Sequence, residues 1–138
     1  MNQSLLSITD PQRAASAAAT LAKLSQEADR LGAKYLAIEA SLGRVEALLT
    51  ARQVPTATSE VQRALTRAEN YKMRMLQARA HYLAAKAAQA SGGEAVARRH
   101  FGEARRILED AAKENAASEF GRRADVAKML NESAQAPR

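Results

Sequence analysis

The chain contains no cysteine and no tryptophan, and only two phenylalanines, three tyrosines and three prolines in 138 residues. Without cysteine there is no disulfide framework, no thiolate metal site and no cysteine nucleophile. No stretch reaches the roughly 18 apolar residues that a membrane span requires. The opening MNQSLLSITDPQ has neither the basic segment nor the long apolar run of a secretory signal. These absences lead to the expectation of a soluble, cytoplasmic protein with no membrane partner, either whole or as a fragment of a larger chain. So few rings also mean that a core, if there is one, is built from smaller side chains.

Alanine fills that place, with 33 occurrences. It is the best helix former and has no side-chain entropy to lose on folding. Together with abundant Leu, Arg, Glu and Lys, it predicts an all-α protein. The formal charge is +6, and from Arg44 to Arg106 there are twelve basic residues against five acidic ones. Such an excess favours acidic partners. It also describes an exposed helical face that uses Arg and Lys as helix formers.

Along the chain the patterns predict about six antiparallel helices in one domain over residues 10–133, with flexible termini at 1–9 and 134–138. Asp10-Pro11 is a helix start, and Ala14, Ala17, Ala18, Leu21, Leu24, Ala28 and Leu31 give one apolar face up to Gly32. A second helix follows from Ala33 to Gln53, with Gly43 inside it. Val54-Pro55 breaks it, because the residue before proline is pushed out of the α region. A third helix then covers Pro55–Asn70 and closes a hairpin over 33–70. The next hairpin, 72–113, turns at Gly92-Gly93. Asn115 is read as the cap of a last flanking helix over 116–133, matching the leading one over 11–31.

A shift of 40 residues superposes Ala17, Ala57 and Ala97, then Leu21, Val61 and Phe101, then Leu24, Ala64 and Ala104. The intervening helices match through Ala40 and Ala80, and Leu36 pairs with Leu76. One amphipathic helix produces such spacing alone, whereas three at one fixed period indicate a helical-hairpin repeat. Residues 78–111 then resemble a tetratricopeptide repeat, with Ala85, Gly92, Ala97, Phe101 and Ala104 where that motif places its small and large packing residues. The hairpin 33–70 resembles it through Ala57, Val61 and Ala64, and departs from it at Val45. The run over 27–133 is similar to the helical-repeat tails of some bacterial multidomain serine/threonine kinases and signalling regulators.

The resemblance implies a right-handed α-α solenoid with a concave face and a non-catalytic role in protein–protein interaction. By register, that face would carry Glu39, Leu42, Glu46 and Leu49, then Arg79, Tyr82, Lys86 and Gln89, then Glu119 and Arg122. Arg79 and Lys86, seven residues apart with Tyr82 between them, would suit an acidic peptide or partner domain. Glu39, Arg79 and Glu119 also recur at the 40-residue period, so a ladder of ion pairs between helices competes with a ligand clamp.

No catalytic constellation, cofactor or metal is expected. His81 and His100 stand on opposite helices of the second hairpin without a ligand motif around them. Gly92-Gly93 follows a helix and lacks the context of a phosphate loop. The basic pairs Arg98-Arg99, Arg105-Arg106 and Arg122-Arg123 keep a nucleic-acid-binding adaptor as the alternative, although exposed aromatics for stacking are scarce. Self-association through the end helices is a third reading, since a short array leaves apolar faces at its ends.

Overall fold

Four turns of one construction set the architecture. A computed structural model describes residues 11–119 and 131–132, and among residues 11–119 it contains five helices and no strand. They are α1 (Pro11–Arg30), α2 (Lys34–Thr50), α3 (Val54–Asn70), α4 (Arg74–Ala90) and α5 (Glu94–Glu119). Each junction is three residues long, and its middle residue has positive φ: Gly32 at 79°, Arg52 at 64°, Lys72 at 56° and Gly92 at 82°. The amide after that residue donates to a carbonyl five positions back, Ala33 to Ala28, Gln53 to Leu48, Met73 to Ala68 and Gly93 to Ala88. The amide of the left-handed residue itself donates three positions back, as Lys72 does to Glu69. This is the Schellman arrangement, which satisfies carbonyls that the helix end would otherwise leave open.

The left-handed residues fall at 32, 52, 72 and 92, so the 40-residue sequence period is two helix-and-turn units. Glycine was the legible sign at two of these turns. Arg52 and Lys72 hold the same conformation with a Cβ, which costs an ordinary residue about 1–2 kcal/mol. Lys72→Gly should therefore stabilise the protein by about 0.5–1 kcal/mol, after the extra unfolded-state entropy of glycine is subtracted. The check is a higher urea midpoint at unchanged slope; a lower midpoint would show that the turn is not strained.

A three-residue reversal lays each helix back along its predecessor. Ser25, late in α1, donates to the Ala37 carbonyl early in α2 at 2.8 Å, and its oxygen lies 3.1 Å from the Ser41 hydroxyl. Consecutive helices pack along the chain, and α2 also packs on α4. The main core joins Ile38, Leu42, Val45 and Leu48 of α2 to Val61, Ala64 and Leu65 of α3 and to Leu76, Ala80 and Leu83 of α4. Alanine at the contacts allows the backbones to approach closely. Leu21 of α1 rests on Gly43, where an added Cβ would come to 3.4 Å from its Cδ1.

The repeat positions on α3 and α5 are buried. Ala57, Val61 and Ala64, and 40 residues on Ala97, Phe101 and Ala104, are all interior. Their α1 counterpart Leu24 is 48% exposed, and Leu36 is 46% exposed where Leu76 is buried. Leu76 belongs to the core shared by α2, α3 and α4.

Two expectations are corrected. α3 begins at Val54, with Pro55 inside its first turn, so the break comes from the Ala51–Gln53 turn. Asn115 caps no sixth helix, because α5 runs without interruption to Glu119. The stretch 111–117 offers four helix-forming alanines and no glycine. Arg74 also grips Glu114 with two hydrogen bonds, at 2.6 and 2.9 Å. Most of the expected helix over 116–133, and the termini 1–9 and 134–138, lie outside the described residues.

Candidate functional site

Packing of α2 on α4 brings two solvent-facing rows together. On α2 these are Glu39 and Glu46, seven residues apart and both exposed; on α4 they are Arg79, Tyr82 and Lys86. Arg79 Nη2 donates to Glu46 Oε1 at 3.2 Å and so ties the two helices at their surface. The expected ladder of Glu39, Arg79 and Glu119 is thus replaced, for Arg79, by a pair with Glu46. That pair leaves 35% of the Arg79 side chain and 57% of Glu46 in solvent, which places it among the exposed ion pairs of small stability, about 0–1 kcal/mol.

Tyr82 is half-buried, with its ring set edge-on against Phe101 of α5 at 5.7 Å between centroids and 64° between planes. Lys86 Nζ stands 5.7 Å from the centre of the Tyr82 ring, within cation–π range. Lys86 is exposed and makes no ion pair with a carboxylate among the described residues. Gln89 is half-buried near the end of α4, and Leu49 packs against the core. Leu42 is no part of any groove. It has no exposed surface and belongs to the interior, because its position on α2 turns toward α3 and α4. Arg122 lies outside the described residues, and Glu119 ends α5.

A second polar feature escaped the sequence reading. A cleft of about 350 Å³ among α1, α2 and α3 is lined by Ser25, Gln26, Asp29, Arg44, Glu60 and Arg67, with Arg63 at its rim. Glu60 is buried and accepts from Arg44 Nη1 at 2.9 Å and from Arg63 Nη2. Arg67 grips Asp29 with two bonds, at 2.6 and 3.2 Å, and holds the Asp29 carboxyl below the usual range for an aspartate. Each arginine head in this cleft is therefore engaged, although the Arg44 Nε is buried without a hydrogen-bond acceptor. Spacing of 16 and 38 residues between partners gave no local signal to find it by.

The two histidines meet. His81 and His100 are both buried, with Nδ1 atoms 2.9 Å apart, so one ring donates and the other accepts. Burial pushes both imidazoles below their ordinary range, with Glu103 opposing the shift. Among the described residues no group of three potential ligands converges to hold a metal ion, and no helix is long and apolar enough to cross a membrane. Of the basic pairs, Arg105 is tied to Glu109, and Arg106 to Glu103 and Asp110, while Arg98 and Arg99 are exposed.

No family model, curated protein or solved structure matches the chain. What the geometry defines is an all-α protein whose helices each pack on their neighbours in chain order, an arrangement compatible with a helical repeat.

Proposed function

We propose that the chain is a non-catalytic protein-interaction module, a tetratricopeptide-like right-handed stack of helix pairs within a bacterial signalling or regulatory protein. Its α2–α4 face holds an acidic peptide or the acidic surface of a partner domain. The observation that supports this reading is Lys86: an exposed cation over the ring of a half-buried tyrosine, with no ion-pairing carboxylate of its own among the described residues. Beside it, Arg79 is held by a single exposed glutamate that a ligand carboxylate can replace.

The test is selection of Asp/Glu-rich peptides on the wild-type protein, followed by titration of the selected peptide against variants. Lys86→Glu should weaken binding at least about tenfold, or 1.4 kcal/mol. Glu46→Gln should strengthen it several-fold, since it removes the internal competitor for Arg79. If neither change alters the affinity, the face is not the site.

The alternative, a basic adaptor for nucleic acid, rests on Arg98 and Arg99, an exposed pair on α5 that makes no ion pair with a carboxylate among the described residues. It predicts binding of a labelled single strand that falls steeply with salt and weakens on Arg98→Ala.

A further inference from the structure

The contact between α4 and α5 differs from the rest of the interior. It consists of two small apolar clusters, Ala78 with Ile107 and Leu108 at one end and Ala85 with Ala97 and Phe101 at the other. The buried His81–His100 bond lies between them. Among the described residues α5 has no comparable packing against α1, α2 or α3, and what holds it there is this one seam and the Arg74–Glu114 pair. The same repeat positions in the preceding hairpin carry Ser41 and Glu60, which do not meet each other and bond elsewhere, to Ser25 and to Arg44. The histidine pair is thus peculiar to the α4–α5 seam.

Two imidazoles facing through Nδ1 have three protonation states with different consequences. Both neutral, one donates and one accepts. With one proton added, the charged ring donates to the neutral one and the bond survives. With two, both Nδ1 atoms carry hydrogen, two donors and two like charges stand at 2.9 Å, and the bond is gone. The charged groups that act on the pair are Glu103, Arg106 and Arg99, all on α5. On α4, Arg74 and Arg79 are held by Glu114 and Glu46, and Lys86 stands over Tyr82. Glu103 is itself bonded to Arg106, which limits how far it compensates a second positive ring.

We propose that His81 and His100 form an acid-released clasp: with at least one imidazole neutral it closes α5 on α4, and protonation of both lets α5 separate. Because each ring is adjacent in sequence to one of the aromatic pair, His81 to Tyr82 and His100 to Phe101, separation also removes the ring that backs Tyr82. That last consequence rests on the peptide-binding reading of the α2–α4 face; the clasp itself does not.

The direction follows from linkage. The separated rings take up protons near pH 6.5, the ordinary imidazole value, whereas burial holds the closed pair lower. The open form therefore binds more protons below that pH, and closure weakens as the pH falls. Up to two protons are involved, so the closing equilibrium should shift by at most about a hundredfold per pH unit.

The experiment is amide hydrogen exchange at pH 7.5 and pH 5.0, corrected for intrinsic rates, on the whole chain and on H81L/H100L. The wild type should lose at least about tenfold protection in 94–116 at pH 5.0 while 34–70 keep theirs, and the double variant should show no such local loss. Unchanged protection of α5 in the wild type, or the same loss in both proteins, overturns the proposal. Should the double variant not fold, histidine ¹⁵N spectra of the wild type decide. Opposite tautomers at pH 7.5 and loss of α5 protection in step with the second proton support the clasp. Two rings that titrate independently, with α5 unaffected, refute it. If α5 opens as described but affinity for the selected acidic peptide is the same at both pH values, the clasp stands and the Tyr82 face fails as the binding site.

Discussion

Leu42→Ala is expected to destabilise the protein by about 2–5 kcal/mol, with the value in the upper half of that range. Leu42 has no exposed surface and sits in the cluster where α2, α3 and α4 meet. The cost of such a truncation has two parts, the lost transfer energy and the cavity that remains. The cavity part depends on whether neighbours can move in. Many of the neighbours here are alanines, Ala64, Ala80 and Ala84 among them, and alanine has no rotamer with which to reach into a void. Against a total stability of about 5–15 kcal/mol for a domain, this is a large fraction. Urea unfolding checks it, with Leu42→Met as the control at less than about 1.5 kcal/mol. A loss under 1 kcal/mol would mean that the three-helix core is not packed as described.

Glu60→Leu is expected to cost about 2–4 kcal/mol. The reason is the charge left behind rather than the one removed. Glu60 is the carboxylate partner of Arg44, whose side chain is only 24% exposed and whose Nε already lacks an acceptor. Breaking a fully buried pair costs about 3–5 kcal/mol. The figure is lowered here because Arg44 keeps part of its head in water. Replacing both partners together, with Arg44→Met and Glu60→Leu, should recover most of the loss, since a buried pair contributes little beyond an apolar substitute. A double-mutant cycle by urea unfolding measures this directly. If the double variant is as unstable as Glu60→Leu alone, the loss comes from packing and not from the orphaned guanidinium.

How much of this was legible can be judged residue by residue. The superposition of Ala57 on Ala97, and of Val61 on Phe101, marked positions that are in fact interior, because burial by helical neighbours repeats with the helices. Gly32 and Gly92 marked two turns correctly. The turns at Arg52 and Lys72 carry no such mark. There the sequence reading placed a break, at Pro55 and after Asn70, but gave no sign of which residue turns left-handed. The opposite error occurred at Asn115, where a good cap residue lies inside α5. A cap residue permits a helix start without requiring one, and the grip of Arg74 on Glu114 favours continuation.

The candidate face was legible in part. The register carried over from the resemblance put Glu39, Glu46, Arg79, Tyr82 and Lys86 on one face, and it also put the interior Leu42 there. Leu42 is four residues from Glu46, just over one turn and so nearly on the same side of the helix, and a register argument cannot say where one helix's exposed side ends and the contact with the next begins. The pairing of Arg79 with Glu46 instead of Glu39 has the same origin, since it depends on how far α2 and α4 are displaced along each other.

By itself the amino-acid sequence determined that the chain is helical, that its reversals come at a regular interval, and that alanine lines its contacts. Propensity and periodicity act within a helix or between neighbours in the chain, and a single sequence carries them. Only the tertiary structure decided which polar groups meet: Glu60 with Arg44, Asp29 with Arg67, His81 with His100. Such meetings are fixed by the distance and slide between packed helices, to within an ångström or two, and no local pattern encodes that.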